Sequence, residues 1–136
     1  MWGTKFMKIA VLSEASADEP RVAVSAAMIK RFVDRGASVT VQAGAGDGSR
    51  VPDKVFKDAG AAIGKTAPAT LKGSDVVLCV RRPNATQLKS IPKGALVLGM
   101  LEPYGDKSDL EAMATAGVSA LSMELMPRIT RAQVMD

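Results

Sequence analysis

Three arginines and one C-terminal segment hold most of the chemistry this chain offers. Arg21, Arg81 and Arg82 each lie at or just beyond the carboxyl end of a strand-like run, the edge at which an open α/β sheet presents its ligand groups. A guanidinium supplies paired planar donors that suit a carboxylate or a phosphate. A small-anion site is therefore one reading of Arg21 and Arg81. In the other they are solvated or paired structurally, with Glu14, Asp18 and Glu19 of the first loop as the available partners. The closing segment, Met123 to Asp136, reads MELMPRITRAQVMD and sets Arg128, Gln133 and Asp136 in one short stretch. Pro127 blocks strand continuation, and the three side chains offer a cation, an amide and a carboxylate. By composition alone this is a helix-entry loop with a surface ion pair.

Missing residue types narrow the chemistry further. The sequence contains no histidine, which removes Ser-His-Asp and Cys-His catalysis, imidazole metal ligands and any side chain that ordinarily titrates near neutrality. No metal site is expected. The one cysteine, Cys79, sits in the apolar run Val76 to Val80, so no internal disulfide forms and a buried, inert thiol in a reducing compartment is expected. Gly44, Gly46 and Gly48 follow a strand pattern and look like the opening of a dinucleotide-binding GxGxxG. The third glycine position holds Ser49, however, and the next helix begins only at Pro52. An ordinary glycine turn is the better reading.

These residues need elements to position them. Lys8 to Leu12 is a short apolar strand, followed by a polar loop from Ser13 to Pro20 and the run Arg21 to Val24. Ser25 is placed to cap a helix over Ala26 to Arg35, where Met28, Ile29, Phe32 and Val33 recur at helical spacing and Gly36 stops it. Ser38 to Gln42 is the second strand, in a parallel crossover. Pro52 opens a helix through Ala59 with Val55 and Phe56 inward, and Ala61 to Ile63 is a short apolar piece. A brief helix around Ala67 to Leu71 leads into the central strand Asp75 to Val80. A turn around Thr86 to Leu88, a strand over Ala95 to Leu98 and a loop over Gly99 to Gly105 follow. Ser108 to Glu111 reads as a capping box for a helix to about Ala116, stopped by Gly117, and Val118 to Ser122 is the last strand. Thr130 caps what reads as a new helix at Arg131, yet six residues remain. The expectation is a chain cut off within a larger subunit.

This alternation predicts a three-layer, doubly wound, mostly parallel α/β sheet, Rossmann-like or flavodoxin-like, without the dinucleotide fingerprint. Residues 1–6 read as a leader or added extension, and 7–136 as one domain. The apolar fraction of 47% and charged fraction of 24% suit an ordinary globular protein. The net charge of +4 comes from 18 basic residues scattered among 14 acids, with three Phe, one Trp and one Tyr to stack on bases. That argues against nucleic acid. No apolar stretch approaches the roughly 20 residues of a membrane span, and no signal-peptide core is evident.

Three passages, Glu19-Pro20-Arg21-Val22-Ala23-Val24-Ser25, Val80-Arg81-Arg82-Pro83 and the closing MELMPRITRAQVMD, carry a family resemblance. From Met7 to Asp136 the chain resembles the N-terminal domain shared by alanine dehydrogenases and the NAD-binding alpha subunit of proton-translocating NAD(P) transhydrogenase, more closely the latter. The resemblance implies that Arg128 and Gln133 hydrogen-bond the nicotinamide or its ribose, and that Asp136 orients Arg128. Charged donors fixed in this way hold the ring near hydride-transfer distance. It also implies NAD(H) in the intact subunit, with the following Rossmann domain absent here, so that this fragment alone is inactive and binds NAD weakly or not at all. Implied partners are a second alpha subunit, a membrane-embedded proton-channel subunit and an NADP-binding domain. The implied location is cytoplasmic, peripheral to the inner membrane. In alanine dehydrogenases an arginine and a lysine hold the carboxylate of pyruvate and a histidine follows the next strand. Arg21 matches the first, Arg81 stands at the second, and the histidine position falls near Glu102. Lysine and saccharopine dehydrogenases share the domain more distantly. From a different class, a non-catalytic α/β module would receive a small carboxylate on Arg21 and Arg81.

Overall fold

The computed structural model describes residues 6–135. The expected leader, apart from Phe6, and Asp136 lie outside the described residues. Six strands, β1 (Lys8–Val11), β2 (Ser38–Gln42), β3 (Ala62–Gly64), β4 (Val76–Arg81), β5 (Leu96–Met100) and β6 (Ser119–Ser122), form one sheet in the order β3-β2-β1-β4-β5-β6. Every pairing is parallel. This is the Rossmann-like order, so the flavodoxin-like alternative drops out, and the order reverses between β1 and β4.

Five helices connect the strands: α1 (Ala26–Asp34), α2 (Asp53–Asp58), α3 (Ala67–Leu71), α4 (Ala85–Leu88) and α5 (Lys107–Ala116). Successive side chains of a strand point to opposite faces, which divides the apolar residues into two cores. On one face Ile29 of α1 and Phe56 of α2 pack on Ile9, Val11, Val39 and Val41. On the other, Leu71 of α3, Leu88 of α4 and Met113 of α5 pack on Ala10, Val77, Cys79 and Val97. The first face thins towards β6, where Leu98 is half-buried and Met100 and Leu121 are 40% and 53% exposed.

Several local expectations shift. Ser25 caps α1 as read, its hydroxyl accepting from Met28 N at 3.3 Å, but Met28 itself is exposed while Ile29 is fully buried. Pro52 is the residue before α2 rather than its first turn, and of the two residues expected inward only Phe56 is buried, because a helix this short turns one narrow stripe to the sheet. Asp106 caps α5, accepting from Ser108 N at 2.9 Å. The reading that began this helix at Ser108 came two residues late, since a carboxylate at 106 reaches the first free N–H groups sooner. Arg21 to Val24 forms no strand and belongs to the β1–α1 loop. After Thr130 the chain makes only a 3-10 turn, Gln133–Met135. Among the described residues no helix is long and apolar enough to cross a membrane.

Candidate nucleotide-contact edge

The carboxyl edge of the sheet is braced by polar side chains, each leaving one strand end and gripping the next. The last N–H groups of parallel strands lack ladder partners, and a carboxylate can accept from two at once. Glu14, just past β1, accepts from Val80 N at 3.1 Å and Arg81 N at 2.6 Å, closing the end of β4. Glu124, just past β6, does the same for the end of β5, accepting from Leu101 N at 3.2 Å and Glu102 N at 2.9 Å, and also from the Ser122 hydroxyl. Gln42 at the end of β2 accepts from Ser13 N at 3.0 Å, and Gln87 donates to Ser13 O at 3.0 Å.

Arg21 and Arg81 meet at the strand-order reversal, and the group between them is Glu19. Its side chain is 2% exposed. Arg21 donates through Nε at 2.6 Å and Nη2 at 2.8 Å, one to each carboxylate oxygen, and its backbone N–H adds a bond of 3.2 Å. Arg81 donates through Nε at 2.8 Å. The bonds from Arg21 and then Arg81 hold the Glu19 carboxyl well below the usual range, outweighing burial. Of the three acids offered by the first loop, Glu19 takes both guanidiniums and Glu14 takes backbone. Among the described residues Asp18 forms no ion pair. Burial pushes the Glu14 carboxyl up, against the backbone bonds from Arg81 and Val80. The Arg21 and Arg81 side chains as a whole remain about half exposed, at 57% and 49%.

Arg82 turns away from this cluster. It donates to Leu101 O at 3.1 Å and Asp109 Oδ2 at 2.5 Å, tying β4 to the end of β5 and the first turn of α5. Cys79 is 5% exposed, and burial, assisted by the charge of Glu14, pushes its thiol up to about 12. Glu102 adopts a left-handed backbone, φ 51°, at a cost of about 1 kcal/mol for a residue with a Cβ.

Arg128 and Gln133 line one cleft of about 210 Å³, together with Met123, Glu124, Met126 and Pro127. Both side chains are exposed, and Arg128 forms no ion pair among the described residues. A guanidinium and an amide in one cleft can donate to a ligand carrying carbonyl, carboxamide or hydroxyl oxygens. The glycine turn is otherwise engaged. A Cβ on Gly46 would stand 2.3 Å from Val51 O, one on Gly48 would stand 2.7 Å from Pro20 O, and Asp53 Oδ1 takes Gly44 N at 3.0 Å. No cradle for a phosphate opens there. Among the described residues no cluster of acids and cysteine could hold a metal.

Sequence reasoning passed over Glu124 as a functional group and treated Glu19 only as a generic loop acid. The available signal was position: a Glu within two residues of a strand end, as at β6, sits where the neighbouring strand leaves N–H groups open.

Comparison with known proteins agrees with this architecture. The family model "Alanine dehydrogenase/PNT, N-terminal domain" matches residues 10–136. The first part of NAD(P) transhydrogenase subunit alpha of Rhodospirillum rubrum is 38% identical over 135 residues, covering 96% of this chain and 35% of the relative. "Alanine dehydrogenase" of Mycobacterium tuberculosis is 30% identical over 118 residues, covering 87% and 32%. The crystal structure of transhydrogenase from Sinorhizobium meliloti superposes with a TM-score of 0.90 at 45% identity, over 95% of this chain and 38% of that one. The chain thus spans roughly a third of the length of these proteins. With a matched family model, a six-stranded parallel sheet and the same fold in a solved transhydrogenase, the chain belongs to the alanine dehydrogenase/PNT N-terminal domain family.

Proposed function

We propose that this chain is the N-terminal part of the NAD(H)-binding alpha subunit of a proton-translocating NAD(P) transhydrogenase, and that Arg128 and Gln133 hold the nicotinamide end of NAD(H) for hydride transfer to NADP+. The observation that carries the reading is the shared cleft of Arg128 and Gln133 at the carboxyl edge, on a chain 38% identical to a transhydrogenase alpha-subunit relative. When bound, the cofactor supplies the hydride. The residues of this chain bind and orient the ring: the Arg128 guanidinium and the Gln133 amide donate to the carboxamide or ribose oxygens and restrict rotation about the glycosidic bond. Asp136 is assigned the role of orienting Arg128. No step calls on a histidine or a metal.

The pyrophosphate and adenosine contacts are assigned to a separate Rossmann domain carrying the glycine fingerprint, in keeping with a glycine turn here that is filled by Pro20, Val51 and Asp53. By this reading the 136 residues alone bind NAD weakly or not at all and are inactive. The complete subunit pairs with a second copy, an NADP-binding domain and a membrane proton-channel subunit, and lies on the cytoplasmic side of the inner membrane. An alanine dehydrogenase-like or small-anion role at Arg21 and Arg81 is disfavoured by one contact set, because Glu19 already occupies the facing edges of both guanidiniums.

Calorimetry tests the reading. The complete subunit is expected to bind NADH, Arg128→Ala to weaken it by roughly tenfold or more through loss of charge-assisted bonds, and the isolated chain to give no submicromolar heat. Submicromolar binding by the isolated chain, or an Arg128→Ala subunit with undiminished affinity, would contradict it.

A further inference from the structure

Residues 123–134 lie mostly on the surface. Leu125, Ile129 and Val134 are 54%, 55% and 89% exposed, Met126 is half-buried, and among the described side chains Ala132 is the one residue of the segment in the buried core. Within the segment, short backbone bonds run from residue to residue: Met126 N to Met123 O at 3.1 Å, Ile129 N to Pro127 O at 3.0 Å, Ala132 N to Ile129 O at 2.9 Å and Gln133 N to Ile129 O at 3.0 Å. These turns make the path from Glu124 to Gln133 locally stiff. They do not fasten it to the sheet. Among the described residues, every side-chain hydrogen bond that ties the segment to the rest of the fold ends on the Glu124 carboxylate.

The strand before the segment is paired along one side. β6 is the last strand of the sheet order, pairs with β5 alone, and exposes Ser119, Ala120 and Leu121. Glu124 extends that single attachment beyond the strand by seizing the N–H groups of Leu101 and Glu102, at the point where β5 turns into a left-handed residue. The same side chain lines the cleft that Arg128 and Gln133 share.

We propose that Glu124 is the positioning residue of the Arg128–Gln133 cleft, its carboxylate clamping the start of that segment to the end of β5 so that both donors are held in one orientation. The inference rests on the proposed function for the identity of the ligand, but the clamp itself is a statement about this chain. The chemistry requires a carboxylate rather than an amide. Oε2 accepts from Leu101 N and the Ser122 hydroxyl while Oε1 accepts from Glu102 N, so both oxygens must be acceptors. In Glu124→Gln one of them becomes an NH2 group facing a backbone N–H, and one half of the clamp turns repulsive.

The test uses the complete alpha subunit with four forms: wild type, Glu124→Gln, Arg128→Ala and the double variant. Hydrogen exchange at the Leu101 and Glu102 amides, which donate to the Glu124 carboxylate, reads the clamp directly, and Glu124→Gln is expected to speed it by roughly tenfold while core strand amides stay protected. NADH affinity reads the consequence. Glu124→Gln should weaken it about fivefold, and the double variant should bind no worse than Arg128→Ala, since residues acting through one another are not additive. Unchanged exchange overturns the clamp. Faster exchange with unchanged affinity, or with fully additive losses, overturns the positioning role and leaves Glu124 as a stability residue. If Arg128→Ala alone leaves NADH affinity intact, the proposed function fails whatever Glu124 does, so the two failures are distinguishable. Should Glu124→Gln not fold, Ser122→Ala removes one of the clamp's three donors and is expected to move both readouts in the same direction by a smaller factor.

Discussion

Gly46→Ala separates a structural glycine turn from a phosphate cradle. Gly46 has an ordinary backbone, φ −92°, so the substitution meets no conformational penalty and its effect is steric. A Cβ would stand 2.3 Å from Val51 O, 2.8 Å from Phe56 Cε2 and 3.1 Å from Phe56 Cζ. In a looser site the ring would give way, but Phe56 is fully buried and Val51 O is backbone. Forcing a methyl into such packing costs about 1–3 kcal/mol, offset by about 0.4–1 kcal/mol from the stiffer unfolded chain. A net loss of roughly 1–2 kcal/mol remains. At about 2.1 cal/mol/K per residue, the 136 residues unfold with an entropy near 0.3 kcal/mol/K, so the midpoint should fall by roughly 3–7 °C in thermal denaturation followed by circular dichroism. In the complete subunit the folded variant should bind NADH as well as wild type. An unchanged midpoint combined with weakened dinucleotide binding would refute the reasoning, because it would mean that the space over Gly46 is open to a ligand rather than filled by Val51 and Phe56.

Two further outcomes follow from the titrating groups. The Glu19 carboxyl lies far below its usual range in the folded chain, so its contribution is fully present above about pH 4.3 and is lost as pH falls below that value. The Glu14 carboxyl is raised, so its contribution runs the other way, present in acid and lost as pH rises. The larger shift belongs to Glu19, and the denaturation midpoint should drop on acidification, with a slope that Glu19→Gln flattens and Glu14→Gln steepens. An acid slope unaffected by Glu19→Gln would show that the two arginines do not hold its charge. Cys79, with its thiol pushed up to about 12, should carry roughly a ten-thousandth of a thiolate at pH 8, against about a quarter in the unfolded chain. A disulfide reagent should therefore label the native chain at least about a thousandfold more slowly than the denatured one. Comparable rates would remove Cys79 from the buried core.

The sequence by itself determined the fold class and most of the element order, because both are written in local patterns. Ser25 and Gly36 bracket α1, the unbroken apolar run around Val76 to Val80 marks a central strand, and alternation of strand with helix leaves a parallel doubly wound sheet as the economical solution. It also placed Arg128 and Gln133 together, since so short a stretch of chain cannot carry them far apart. Helix starts were less legible: α5 begins under Asp106 rather than Ser108, because more than one polar residue nearby could cap it and the choice depends on how the loop leaves β5. What only the tertiary structure decided is who meets whom along the carboxyl edge. Arg21 and Arg81, far apart in the chain, share Glu19, Arg82 next door turns instead to Asp109, and Glu124 reaches back 22 positions to Glu102. The physical reason is that parallel strands bring their carboxyl ends to one edge only through long crossovers. Neighbours there are set by strand order and register, quantities that no window of local sequence contains.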